Sequence, residues 1–100
     1  MSVSVNVKLE ERAACGAGRA AVGRPLGAAV RARRLELGVT QEYLAHQAGM
    51  TQGALSRMEC GRGVPTLPLL ERLAAALSAN LLISIPPYGG IHVAFKALPR

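Results

Sequence analysis

Two short helix-forming segments flank the four residues Ala48-Gly49-Met50-Thr51, and little else in the chain leaves so few folds open. Thr40 is suited to cap the first segment, which is predicted over about residues 41–48 and stops at Gly49. Thr51 is suited to cap the second, predicted over about residues 52–59 and stopped by Gly61. Two helices joined by a three- or four-residue turn containing glycine must cross at a steep angle. Ala45 is small enough to let the second helix approach, and Gly49 supplies a turn backbone that other residues resist. Leu44, Ala48, Met50 and Leu55 then seal the contact between the two.

The flanking sequence builds a bundle around this pair. Pro25 suits the first turn of a helix on which Leu26, Val30, Arg34 and Leu37 share a face, and Gly38 ends it. After the polar, breaker-rich run Gly61-Arg62-Gly63-Val64-Pro65, Thr66 caps a further helix with the stripe Leu67, Leu70, Leu73, Ala74 and Leu77. Residues 80–85 and 91–98 read as strands that pair as a hairpin across the turn from Pro86 to Gly90. Residues 2–9 alternate polar and apolar, placing Val3, Val5, Val7 and Leu9 on one face of a strand, with an unstructured terminus as the alternative. Residues 10–24 hold no sustained period and read as a frayed helix or a linker. The predicted fold is mainly α: four to five short helices with C-terminal strands and, on the first alternative, an N-terminal strand. The expected organisation is an N-terminal extension over 1–24, a helical unit over 25–78 and a β segment over 79–100.

Twelve Lys and Arg face six acidic residues, a formal charge of +6 in 100 residues, and ten of the twelve are Arg. Such a balance suits a polyanion. On charge alone a nucleic acid, membrane headgroups or an acidic protein would all fit, but arginine favours bidentate contacts to phosphate and guanine. The stretch from Leu73 to Phe95 carries no charged residue and is long enough to span a bilayer. Asn80, Pro86, Pro87, Gly89 and Gly90 interrupt it, so no membrane role is expected. Residues 1–9 lack the basic start and continuous apolar run of a secretory leader, and the cytoplasm is the expected compartment. Cys15 and Cys60 sit in no metal-binding spacing and are expected as reduced thiols, and His46 and His92 are isolated. No Ser/His/Asp, paired-carboxylate or His/Cys cluster has catalytic spacing, and Cys15-Gly16-Ala17-Gly18-Arg19 lacks a nucleotide-binding glycine pattern. Neither enzymatic activity, nor a cofactor, nor a metal is expected.

A combined pattern over about residues 25–78 carries a resemblance. It comprises Leu26-Gly27, Val30-Arg31, Arg34, Gly38, Thr40-Gln41, Leu44-Ala45, Ala48-Gly49, Thr51-Gln52, Leu55-Ser56-Arg57, Glu59, Gly61-Arg62 and Pro65. It resembles the Cro/C1-type helix-turn-helix family, the phage-repressor and XRE-like regulators. The resemblance implies a lambda-repressor-like bundle, with residues 52–59 as the recognition helix entering the major groove of double-stranded DNA. It also implies a semi-buried ion pair between Arg34 and Glu59, structural in role. Physical chemistry points to the same surface. Gln41 and Thr51 stand where helices begin, with free N–H groups and a positive dipole end for phosphate. Gln52, Gly53 and Arg57 share the outward face of the recognition helix. Gln pairs with adenine N6 and N7, and Arg with guanine O6 and N7, which makes Arg57 the foremost candidate for base discrimination. Gly53 replaces a longer polar residue usual in the family. Ser56, Arg62 and Arg33 are candidates for phosphate contacts, each with a solvated surface role as the alternative.

One such unit reads about half an operator, so a homodimer is expected, through the C-terminal strands. Two functions stay open: a stand-alone regulator, in particular a repressor, or an antitoxin that binds a toxin protein and regulates its own operon. A structural module using the fold without DNA is a third, disfavoured by Gln41, Gln52, Arg57 and Arg62 on the expected face.

Overall fold

A computed structural model describes residues 2–5 and 22–98 of the chain. The expectations for residues 6–21, including the second half of the alternating N-terminal segment and Cys15, lie outside the described residues. Among those described, the element order is β1 (Ser2–Val5), α1 (Gly23–Leu37), α2 (Gln41–Ala48), α3 (Gln52–Glu59), α4 (Leu67–Ala76), β2 (Ala79–Ser84) and β3 (His92–Ala97).

The caps fall where the sequence puts them. The Thr40 hydroxyl oxygen accepts from the Tyr43 N–H at 3.0 Å, and that of Thr51 accepts from the Ala54 N–H at 3.1 Å. Thr66 does the same for Leu69 at 3.4 Å. Each satisfies one of the orphan donors of a helix start. Gly49 takes φ +70° between α2 and α3, a left-handed conformation in which a side chain would be strained. Helix α1 begins at Gly23, two residues before Pro25, and buries Leu26, Ala29 and Val30. Leu37, placed by its spacing on this face, is exposed, because Arg34 takes the last buried position and the chain turns away at Gly38. Leu67 likewise leaves the apolar stripe of α4: it is three-quarters exposed, while Leu70, Leu73 and Leu77 are buried.

The three strands form an antiparallel sheet in the order β1-β3-β2. Leu81 stands opposite Phe95 and Ile83 opposite Val93, while Val3 and Val5 fall in register with Phe95 and Val93 from the other side. Alternation along β3 sends Val93 and Phe95 into the core and leaves His92 and Lys96 exposed. The sheet packs against α1 and α4, and one continuous cluster joins Leu26, Val30, Leu44, Leu55, Leu73, Leu77, Val93 and Phe95. The β segment is therefore part of the core that holds the helices. Among the described residues no helix is long and apolar enough to cross a membrane.

The crossing of α1 over α3 depends on Gly27. A Cβ built there would overlap the carbonyl oxygen of Met58 and stand 3.0 Å from the Glu59 carbonyl. Exchanging a helical glycine for alanine ordinarily stabilises by about 1 kcal/mol. Here the obstacle is backbone, which must shift, so Gly27→Ala is expected to destabilise by roughly 1–3 kcal/mol. Chemical denaturation checks the sign, and a stabilised variant would show that the two helices are not in backbone contact.

Candidate nucleic-acid interface

The candidate surface is built from the starts of α2 and α3. Each start follows a threonine cap with a glutamine, Thr40-Gln41 and Thr51-Gln52, so that both amides emerge at the same point of successive helices. The fold brings them together: Gln52 Nε2 donates to Gln41 Oε1 at 3.2 Å. Gln41 Nε2 in turn donates to Glu59 Oε1 at 3.0 Å. Thr51, Gln52 and Gly53 are exposed, as is Arg57 one turn further along α3. Ser56 is half-buried beside them, and Arg62 is exposed in the loop that follows. A Cβ at position 53 would lie 3.6 Å from Arg57 Nη1, so the guanidinium reaches back over the first turn, into space that glycine leaves open.

Behind this surface stands a buried ion pair. Arg34 and Glu59 meet in a two-pronged contact, Nε to Oε2 at 2.7 Å and Nη2 to Oε1 at 3.0 Å, and Arg34 Nη1 donates to the Val39 carbonyl at 2.9 Å. The Glu59 side chain is 2% exposed. The hydrogen bond that Arg34 donates to Glu59, reinforced by the carboxylate's charge, raises the Arg34 pKa against the opposing effect of burial. The guanidinium therefore stays charged at any accessible pH. One residue pair thus ties the end of α1 to the end of α3 and to the residue before the cap of α2.

Arg33 does not join this surface. Its guanidinium is buried, with Nε donating to the Leu77 carbonyl at 3.0 Å, Nη2 to that of Ser78 at 3.4 Å, and Nη1 paired with Glu36 at 2.7 Å. It closes the C-terminus of α4, and Ser78 holds the left-handed conformation (φ +51°) that turns the chain into β2. A guanidinium spent on orphan helix carbonyls is withdrawn from phosphate. The reading of Arg33 as a phosphate contact is corrected accordingly. Arg72 plays the matching part for α2, with Nε donating to the Ala48 carbonyl at 2.8 Å. Spacing along one helix could not reveal either role, because both carbonyls belong to a different helix.

Cys60 follows the last residue of α3 and is disulfide-bonded, where a reduced thiol is expected from sequence. The other cysteine of the chain, Cys15, lies outside the described residues. Among the described residues no cluster of His, Cys, Asp or Glu could hold a metal ion.

Two short helices, a left-handed glycine between them, and polar side chains gathered on the exposed start of the second define a helix-turn-helix protein. A helix-turn-helix family model matches residues 30–81, just over half of the chain. A protein of Methanothermobacter thermautotrophicus named as an HTH-type transcriptional regulator is 46% identical over 48 residues, which is 48% of this chain and 70% of that protein. The chain belongs to the Cro/C1-type helix-turn-helix family of DNA-binding transcriptional regulators.

Proposed function

We propose that this protein is a sequence-specific repressor that binds double-stranded DNA as a homodimer, with α3 in the major groove. The observation that carries the reading is the exposed line Gln52, Gly53 and Arg57 on α3. Gln41 and Thr51 supply backbone donors for flanking phosphates, and Arg62 and Ser56 extend that contact along the strand. Arg57 reads guanine through O6 and N7. A dimer places two recognition helices about 34–36 Å apart and covers the duplex between its half-sites, which excludes other proteins from it.

The test is binding to the duplex upstream of the protein's own gene, wild type beside Arg57→Ala, with a scrambled duplex as competitor. The variant is expected to lose roughly 1–3 kcal/mol of preference for the upstream duplex over the scrambled one. A wild type with no preference between the two would overturn the assignment of that duplex as operator. A variant that keeps the full preference would remove Arg57 from base reading.

The dimer reading rests on β2. It is one of the two edge strands of the sheet, with Leu82 and Ile83 exposed in the strand and Ile85 exposed just beyond it, an arrangement suited to pairing with a second chain. Light scattering at micromolar concentration is expected to give twice the monomer mass for wild type, and the monomer mass for Ile83→Lys. The same edge fits the antitoxin alternative, in which a toxin protein adds a strand there. A monomeric wild type on DNA that forms a stable complex with the product of an adjacent gene would favour that alternative.

A further inference from the structure

We infer that Glu59, though buried and out of reach of DNA, decides which base Gln52 accepts, by fixing the direction of a hydrogen-bond relay through Gln41. The inference rests on the reading of α3 as the recognition helix. A carboxylate can only accept hydrogen bonds, whereas a glutamine amide can turn either its oxygen or its nitrogen to a neighbour. Held in place by two bonds from Arg34, the Glu59 carboxylate compels Gln41 to face it with Nε2, at 3.0 Å. That leaves Gln41 with its Oε1 toward α3, so Gln52 must answer with Nε2, at 3.2 Å. One N–H of Gln52 is then spent, and its Oε1 and second N–H are left to face outward together. An acceptor beside one donor matches the N6 donor and N7 acceptor of adenine. Guanine offers two acceptors on the same edge, and one of them would meet the Gln52 oxygen. The direction follows from the chemistry of a carboxylate and does not depend on which amide atom is assigned as nitrogen. Glu59 is thus a positioning residue for specificity, in addition to anchoring the end of α3.

The experiment is selection from a pool of random-sequence duplexes, sequenced after binding, with wild type, Gln52→Ala, Glu59→Gln and Gln41→Met. Thermal melts identify the variants that fold. Gln52→Ala identifies the base position that Gln52 reads, where wild type is expected to prefer adenine over guanine by about tenfold or more. In Glu59→Gln the residue at 59 can donate as well as accept, so that preference is expected to fall to within about twofold at that position alone. Preferences elsewhere in the site stay, whereas a merely structural loss would weaken all positions together. Gln41→Met cuts the relay while leaving the Arg34–Glu59 pair whole, and it carries the test if Glu59→Gln does not fold. The same selective loss is expected of it. A Gln52-dependent adenine preference that survives in folded Glu59→Gln or in Gln41→Met overturns the relay and leaves the recognition-helix reading standing. No position that responds to Gln52→Ala in a wild type that binds selectively would overturn the part given to Gln52 in that reading, and the relay with it.

Discussion

Arg34→Met is expected to cost about 3–5 kcal/mol of folding stability, because it leaves a carboxylate stranded inside the protein. The Glu59 side chain is 2% exposed and draws two of its hydrogen bonds from Arg34. After the substitution only the Gln41 amide would remain to it among the contacts seen. The Val39 carbonyl, just before the α2 cap, loses its donor as well. Methionine roughly replaces the volume, so the loss reports charge and hydrogen bonding more than packing. The double variant Arg34→Met/Glu59→Leu is expected to recover much of the loss, since replacing a buried pair by apolar groups is often close to neutral. Urea denaturation of the four proteins in the cycle measures the coupling directly. A single-variant cost under about 1 kcal/mol would mean that the pair behaves as a solvated surface bridge. Added salt offers a second check: a surface pair weakens with ionic strength, whereas this one is expected to keep its cost.

Phe95→Ala is expected to destabilise by a similar amount, about 3–5 kcal/mol, through the cavity it opens. Phe95 is fully buried on the central strand, in the same cluster as Leu26, Leu44 and Leu55 of the helices. Against a typical domain stability of about 5–15 kcal/mol, that is a large share of the total. The prediction separates two views of the β segment. If residues 79–98 served only to pair with a partner, truncating Phe95 would leave the helical unit's melting untouched and change the assembly alone. With Phe95 in the shared core, the whole protein is expected to melt earlier in one transition. Below the new melting range, DNA affinity per folded molecule should be unchanged, because the exposed residues Gln52, Gly53 and Arg57 of α3 are not part of the core cluster that holds the ring. A melting curve with an unaltered helical transition would assign the sheet to a separate unit.

Much of the candidate surface was legible because it is local. Thr40, Thr51 and Thr66 announce helix starts through a hydroxyl that accepts an N–H three residues on, and Gly49 announces the turn through a conformation that other residues avoid. Gln52, Gly53 and Arg57 share an outward face because helical spacing dictates it. The hairpin, too, could be read from alternation on either side of Pro86-Pro87-Tyr88-Gly89-Gly90. Local rules failed where a position's fate depended on a distant partner. Leu37 and Leu67 satisfy the apolar periodicity yet face solvent, since periodicity says which face a residue is on and not how far the packing partner extends.

Residues close together in the chain were enough to set the starts of α2, α3 and α4, the turn between α2 and α3, and the outward line of Gln52, Gly53 and Arg57. Each of these follows from the backbone and side-chain preferences of residues within a few positions of one another. The uses of charge and of long-range contact came from the packing of the whole fold. It sent Arg33 to the carbonyls closing α4, and it linked Glu59 to Gln41 and Gln52. It also placed β3 at the centre of the sheet and Phe95 at the heart of the molecule. A guanidinium or an amide can serve a phosphate, a helix end or a buried carboxylate equally well. Which one it serves depends on what the fold sets beside it, and that is fixed by the simultaneous packing of elements far apart in the chain.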